Sequence, residues 1–261
     1  MKNTNKDDRE WSWREELRNQ ILARRERIIA RMEKERGSKV VTMVHRKEPW
    51  VKGEGYPEIE IEDSEKVLLN IKRAGKKQPV ELILHTPGGI ALAAQMIAIA
   101  LKMHKGKVTV HVPFYAMSGG TMIALAADEI RMERFSVMGP LDPQIDGLPS
   151  NSLVSILERK PIQAIDDKTI VLADIARLSI SEVQNFVRWL LKRRMKAKEA
   201  KSLAEYLTGG YISHDEPISH DVIKGFGLPV ELGVPEIVYE FFDTCTHGAC
   251  LRPGHGEHRR F

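Results

Sequence analysis

VELILHTPGGIALAAQMIAIALKMHKGKVTVHVPFYAMSGGTMIALAADEIRM, residues 80–132, is the stretch that decides the fold. Val80–His85 is a short run dominated by aliphatic residues, closed by Pro87-Gly88-Gly89. Its length and its boundary predict a strand. Ile90–His104 is apolar and long enough for a helix. Val108–Val112 again reads as a strand, Gly119–Ala127 as a helix and Glu129–Met132 as a strand. Strands alternating with helices predict βαβ units and a largely parallel sheet.

Upstream, Lys39–Val44 extends the pattern with one more strand. Ser64–Ala74 reads as a helix with Asp63 or Ser64 at its N-cap. Residues 10–36 carry Trp11, Trp13, Leu17, Ile21, Ile28, Ile29 and Met32 at helical spacing among Arg and Glu, and Gly37 suits the stop. Residues 1–9 are polar and are expected to be disordered. Downstream of Asp142 a polar stretch runs to about Thr169. Helical patterns follow at Ile170–Met195, Lys196–Tyr206, Ile218–Phe226 and Pro235–Phe242. The organisation expected is a tail and amphipathic helix over 1–36, one α/β domain over 37–243, and a flexible C-terminal tail over 244–261.

Composition narrows the class. A chain of 261 residues can bury one large core. Lys and Arg number 40 against 36 Asp and Glu, so the formal net charge is only +4. That mild excess predicts no nucleic-acid partner. No stretch approaches the ~20 apolar residues that span a bilayer, and Met1–Glu16 has no apolar signal-peptide core. The expected location is the cytoplasm. Peripheral membrane association through the basic N-terminal helix is the alternative. Two cysteines make no disulfide framework.

Two glycine-rich turns carry the chemistry. In His85-Thr86-Pro87-Gly88-Gly89 the glycines leave backbone N–H groups open beside a helix start, as an oxyanion hole requires. A plain strand-to-helix turn would look the same. In Tyr115-Ala116-Met117-Ser118-Gly119-Gly120-Thr121 the serine also follows a strand and opens a helix. Alone it reads as an N-cap. Together the turns end adjacent strands, where ligand sites form in parallel sheets. One turn can then supply an oxyanion hole and the other a nucleophile.

Pro87-Gly88-Gly89, Ala116-Met117-Ser118-Gly119-Gly120 and Ala126-Ala127-Asp128-Glu129-Ile130 resemble, in that order, the signal peptide peptidase-like branch of the Clp protease/crotonase superfamily. Within it, Gly139-Pro140-Leu141-Asp142-Pro143-Gln144 and Ser213-His214-Asp215 resemble the serine dehydrogenase proteinase family. The resemblance covers about residues 39–240. It implies a Clp/crotonase-like α/β fold of repeated ββα units with an N-terminal helical arm. It also implies a serine peptidase acting on peptides, a homo-oligomeric assembly and no cofactor. Ser118 is then the nucleophile, with Gly88 or Gly89 and Gly119 as oxyanion donors. No Gly-x-Gly-x-x-Gly turn follows a strand, so the family name is not read as dehydrogenase activity.

The base is the open point. A histidine at the Clp protease spacing is missing, and Leu141-Asp142-Pro143-Gln144 stands there. The peptidase branch uses a lysine instead, and Lys160 and Lys168 lie in its window. A lysine base must be neutral, so burial should accompany it. Asp166 and Asp167 beside Lys168 favour Lys160. His85 and His214 are the histidine alternatives. A non-catalytic oligomeric scaffold on the same fold is the competing function. Cys245, Cys250, His247, His255 and His258 have the ligand types for zinc at loose spacing, and a flexible tail is the reading preferred.

Overall fold

The computed structural model describes residues 4–46, 48, 50, 57–192 and 194–245, without the side chains of 4–14. In chain order the elements begin with α1 (Thr4–Arg36), β1 (Lys39–Val44), α2 (Ile61–Ala74), β2 (Val80–His85), α3 (Ala91–Met103) and β3 (Val108–Val112). The centre holds β4 (Tyr115–Ala116), α4 (Gly119–Ala124), β5 (Glu129–Met132), β6 (Val137–Met138), β7 (Gln144–Ile145) and β8 (Leu148–Pro149). The last part holds α5 (Ser150–Arg159), α6 (Asp167–Leu191), α7 (Ala197–Thr208), β9 (Ile218–Ser219), α8 (His220–Gly225), β10 (Val230–Leu232) and α9 (Glu236–Phe242).

The larger of two compact units comprises 39–44 and 58–234. Its sheet has the order β1-β2-β3-β5-β10, and every pairing is parallel. This is the parallel α/β architecture that the alternation predicts, and it agrees with the Clp-like fold that the resemblance implies. All six residues of β2 and all five of β3 are buried. Strands buried along their whole length belong to a sheet covered on both faces, and among their polar residues Glu81 meets His111 at 2.7 Å. Leu82, Leu84, Val110, Ile130, Ala94 and Ile97 are among the residues of its large core.

A second, smaller sheet decides where the site lies. Its order is β4-β6-β9. Ala116 pairs with Met138 in parallel, and Met138 pairs with Ile218 in the opposite sense. The chain therefore leaves β4 and β6, and enters β9, at one common end.

The smaller unit comprises 1–38, 45–57 and 235–261. The sequence reading ends the large domain at 243, whereas α9 packs with α1 here. Arg25 ties this unit together. It hydrogen-bonds Glu48 at 2.5 Å, the Thr244 hydroxyl at 3.0 Å and the Thr244 carbonyl at 2.9 Å. Burial pushes the Glu48 carboxyl up, against the pull of Arg25 and Arg46. No helix among the described residues is long and apolar enough to cross a membrane.

Several element boundaries differ from expectation. Helix α1 starts at Thr4, so residues 4–9 are helical rather than disordered. Helix α2 starts at Ile61. Glu60 is its N-cap, and its backbone N–H donates to Asp63 at 2.9 Å. Asp63 thus closes a capping box as the third helical residue. The polar stretch after Asp142 contains the hairpin β7–β8 and α5. Asp146 and Gly147, both at positive φ, form its turn, the Asp-Gly signal of a tight hairpin. Ile218–Phe226 divides into β9 and α8.

Candidate active site

Backbone hydrogen bonds lace the two glycine turns together. The Thr86 N–H donates to the Tyr115 carbonyl at 3.2 Å, and the Met117 N–H donates to the Thr86 carbonyl at 2.9 Å. Past the end of β2, Thr86 therefore sits beside Ala116 as a parallel bridge. The second turn does not follow β3 directly. Pro113 and Phe114 redirect the chain into β4 first.

Ser118 stands in a conformation that L-residues rarely adopt, φ 47° and ψ −116°. The Gly120 N–H donates to the Met117 carbonyl at 2.7 Å and closes a turn around it. Those angles match the first central position of a type II′ turn, which normally takes glycine. A serine held there costs on the order of 1–3 kcal/mol. The side chain caps nothing: Ser118 is the N-cap residue of α4 without a side-chain cap bond. The simple capping role is thereby removed. Among the described residues, no hydrogen bond reaches the Ser118 hydroxyl.

Gly88 and Gly89 are required by close approach. A Cβ on Gly88 would stand 2.8 Å from the Ser118 Cβ, and one on Gly89 would stand 2.4 Å from the Ile59 nitrogen. Their φ values of 113° and 143° suit glycine as well. The two amides differ in their partners. The Gly88 N–H donates to the Thr86 hydroxyl at 3.1 Å, and the Gly88 carbonyl accepts from Ile59 at 2.7 Å. The Gly89 and Gly119 amides meet no acceptor among the described residues. They are close, since a Cβ on Gly119 would lie 3.9 Å from the Gly89 nitrogen. Of the two sequence candidates, Gly89 rather than Gly88 is the amide with its hydrogen to spare.

Thr121 locks the nucleophile turn to the next segment. Its hydroxyl lies 2.8 Å from the Ala116 carbonyl and 2.9 Å from the Gly139 carbonyl, and it accepts the Gly139 N–H at 2.9 Å. Gly139 in turn packs on Met117, where an added Cβ would fall 2.6 Å from the thioether methyl.

The candidate bases fall in different places. Lys160 is the C-cap of α5 and Lys168 lies in the first turn of α6. Both side chains are exposed, and neither hydrogen-bonds Ser118. The burial expected of a lysine base is absent at both. His85 is buried against aromatic rings, 4.1 Å from Tyr115 and 5.8 Å from Phe114 between centroids.

His214 is different. Its Nδ1 lies 2.7 Å from Oδ1 of Asp142, a carboxylate only 4% exposed. The Gln144 amide donates to the other oxygen of Asp142 at 2.6 Å. The hydrogen bond to Asp142 pushes the imidazole above its usual range against the opposing effect of burial, and the charges of Asp142 and Asp215 add to the rise. In the sequence, Asp142 stands where the Clp protease spacing would place a histidine, and His214 is one of two histidine alternatives for the base. Nothing in the chain announces a pair 72 residues apart. The only signal is that both occur in family-like segments.

Of the zinc-type ligands, Cys245 is buried, and burial pushes its thiol up. Cys250, His247, His255 and His258 lie outside the described residues.

A model of ClpP-like SDH-type serine proteinases matches residues 14–253. The uncharacterized protein MJ0137 of Methanocaldococcus jannaschii is 46% identical over 227 residues, covering 86% of this chain and 79% of that protein. The uncharacterized protein MJ1495 of the same organism is 43% identical over 234 residues, covering 89% and 80%. Among solved structures, a serine-to-alanine mutant of the 1510-N membrane-bound stomatin-specific protease matches with a TM-score of 0.50. The identity is 16%, and the match covers 78% of this chain and 82% of that one. It bears on the fold alone. The chain belongs to the ClpP-like SDH-type serine proteinase family.

Proposed function

We propose that this chain is a serine peptidase in which Ser118 attacks the scissile carbonyl of a peptide and the amides of Gly89 and Gly119 hold the oxyanion. The observation that carries this reading is the strained, uncapped Ser118 beside two amides with no acceptor. Strain kept at one serine suggests a use for its orientation. Paired N–H donors stabilise the tetrahedral intermediate, and the acyl-enzyme then hydrolyses.

The base comes from one of two sources. Lys160, with Lys168 behind it, would complete a Ser-Lys dyad, provided that it becomes buried. His214 is the alternative. A homo-oligomer is part of this reading, since Val171, Ile175 and Leu178 leave an apolar stripe exposed on α6. Such a stripe at helical spacing suits a neighbouring copy. A non-catalytic scaffold on the same fold is favoured by one observation, the absence of any hydrogen-bonded base at Ser118 among the described residues.

A fluorophosphonate probe tests the choice. Labelling of folded protein that disappears in Ser118→Ala is the expected result. A folded wild type that takes no label would leave the scaffold reading standing.

A further inference from the structure

We propose that the groove between the end of α6 and the start of α7 binds an organic phosphate. The groove holds about 400 Å³ and is lined by Arg188, Lys192, Met195, Ala197, Ala200 and Lys201. Small-molecule sites run from roughly 300 to 1,000 Å³. Half of the lining residues are cations, and no acid lines the groove among the described residues. None of them belongs to the glycine turns, so the inference stands apart from the peptidase reading.

Charge is the first argument. Residues 188–201 carry seven Lys or Arg and one acid, Glu199. Such a run is ordinarily a solvated face laced with ion pairs. Lys107 and Arg131 do pair with Glu129, and Arg194 pairs with Asp128. Arg188 and Lys192 form no ion pair among the described residues. Lys201 has only Glu205, at 3.7 Å along its own helix. One arm of the Arg188 guanidinium donates to the Asn185 side chain at 2.9 Å, which leaves its other N–H groups for a ligand.

Rigidity is the second. The Lys102 ammonium donates to the carbonyls of Leu190 at 2.6 Å and Lys192 at 3.2 Å, so α3 clamps the end of α6. Arg194 donates to the Leu125 carbonyl at 3.1 Å and to Asp128 at 2.7 Å. Lys192 and Met195 pair as a bridge across the turn. A ligand therefore meets a frame already in place, and little order has to be imposed on binding.

The mixture of groups sets the ligand class. Arg188, Lys192 and Lys201 are exposed cations, while Met195, Ala197 and Ala200 supply an apolar wall. A guanidinium fork and two ammonium groups suit a phosphate. The wall suits an apolar body joined to it. A nucleotide and the headgroup end of an anionic lipid share this chemistry.

The test is calorimetric titration of the full chain with ADP, with inorganic phosphate, and with monomeric dihexanoyl phosphatidylglycerol or dihexanoyl phosphatidylcholine. Binding of ADP assigns a soluble source, and binding of the phosphatidylglycerol but not the phosphatidylcholine assigns a lipid source. Arg188→Gln and Lys192→Gln are each expected to weaken binding about tenfold. Ala197→Trp fills the groove without changing charge and should abolish binding. Lys66→Gln, on α2, should bind as wild type does. Circular dichroism confirms that each variant is folded, and should one unfold, the others decide. Binding that survives Ala197→Trp marks a plain basic face and overturns the inference. Inorganic phosphate binding as tightly as the organic ligand leaves the apolar wall without a role and overturns it too. So does a wild type that binds neither ADP nor the phosphatidylglycerol.

Discussion

Gly88 and Ser118 face each other so closely that a Cβ on Gly88 would stand 2.8 Å from the Ser118 Cβ. The oxyanion turn and the nucleophile turn are therefore one packed unit. Gly88→Ala must either push Ser118 away or strain a φ of 113°. Fluorophosphonate labelling is expected to fall at least tenfold, and the melting temperature to fall as well. Wild-type labelling in this variant would mean that the contact does not position the serine.

The strain at Ser118 has its own signature. Ser118→Gly and Ser118→Ala both remove the hydroxyl, but only glycine relaxes φ 47° with ψ −116°. Relief of strain outweighs the added freedom of an unfolded glycine, a cost of roughly 0.5–1 kcal/mol. Ser118→Gly should melt higher than Ser118→Ala in thermal denaturation. The reverse order would show an unstrained site.

Thr121 offers a test of the lock behind the nucleophile. Thr121→Val keeps the shape and leaves the buried Gly139 N–H without its acceptor. The expected loss is about 1–3 kcal/mol in urea unfolding. A neutral result would place the stability of this region elsewhere.

Because Asp142 favours the charged imidazole, the His214 titration is expected above the usual midpoint of about 6.5. The sign follows from linkage. A raised native pKa stabilises the fold fully below the unfolded value, and the contribution fades as pH rises through the native one. Histidine NMR should show the raised midpoint in wild type and a lower one in Asp142→Asn. Equal midpoints would break the pairing.

The stripe on α6 makes a prediction about assembly. Leu178 is 65% exposed and Val171 57%. Val171→Glu with Leu178→Glu should lower the molar mass measured by light scattering, with the circular dichroism unchanged. An unchanged oligomer would place the interface on another surface.

By itself the sequence determined the parallel α/β core. Runs such as Val80–His85 are legible because a strand buried on both faces is mostly aliphatic along its length, and glycine turns mark where such strands end. Ser118, Gly88, Gly89 and Gly119 were legible as site candidates for the same local reason: each lies in a turn beside its strand or helix. Which of Gly88 and Gly89 keeps a spare amide was not legible, because it depends on the Thr86 hydroxyl folding back. The exposure of Lys160 and the meeting of Asp142 with His214 were decided by tertiary structure alone. Spacing along the chain is local information. A pair of side chains brought together by strand pairing across β4, β6 and β9 is a property of the assembled sheet.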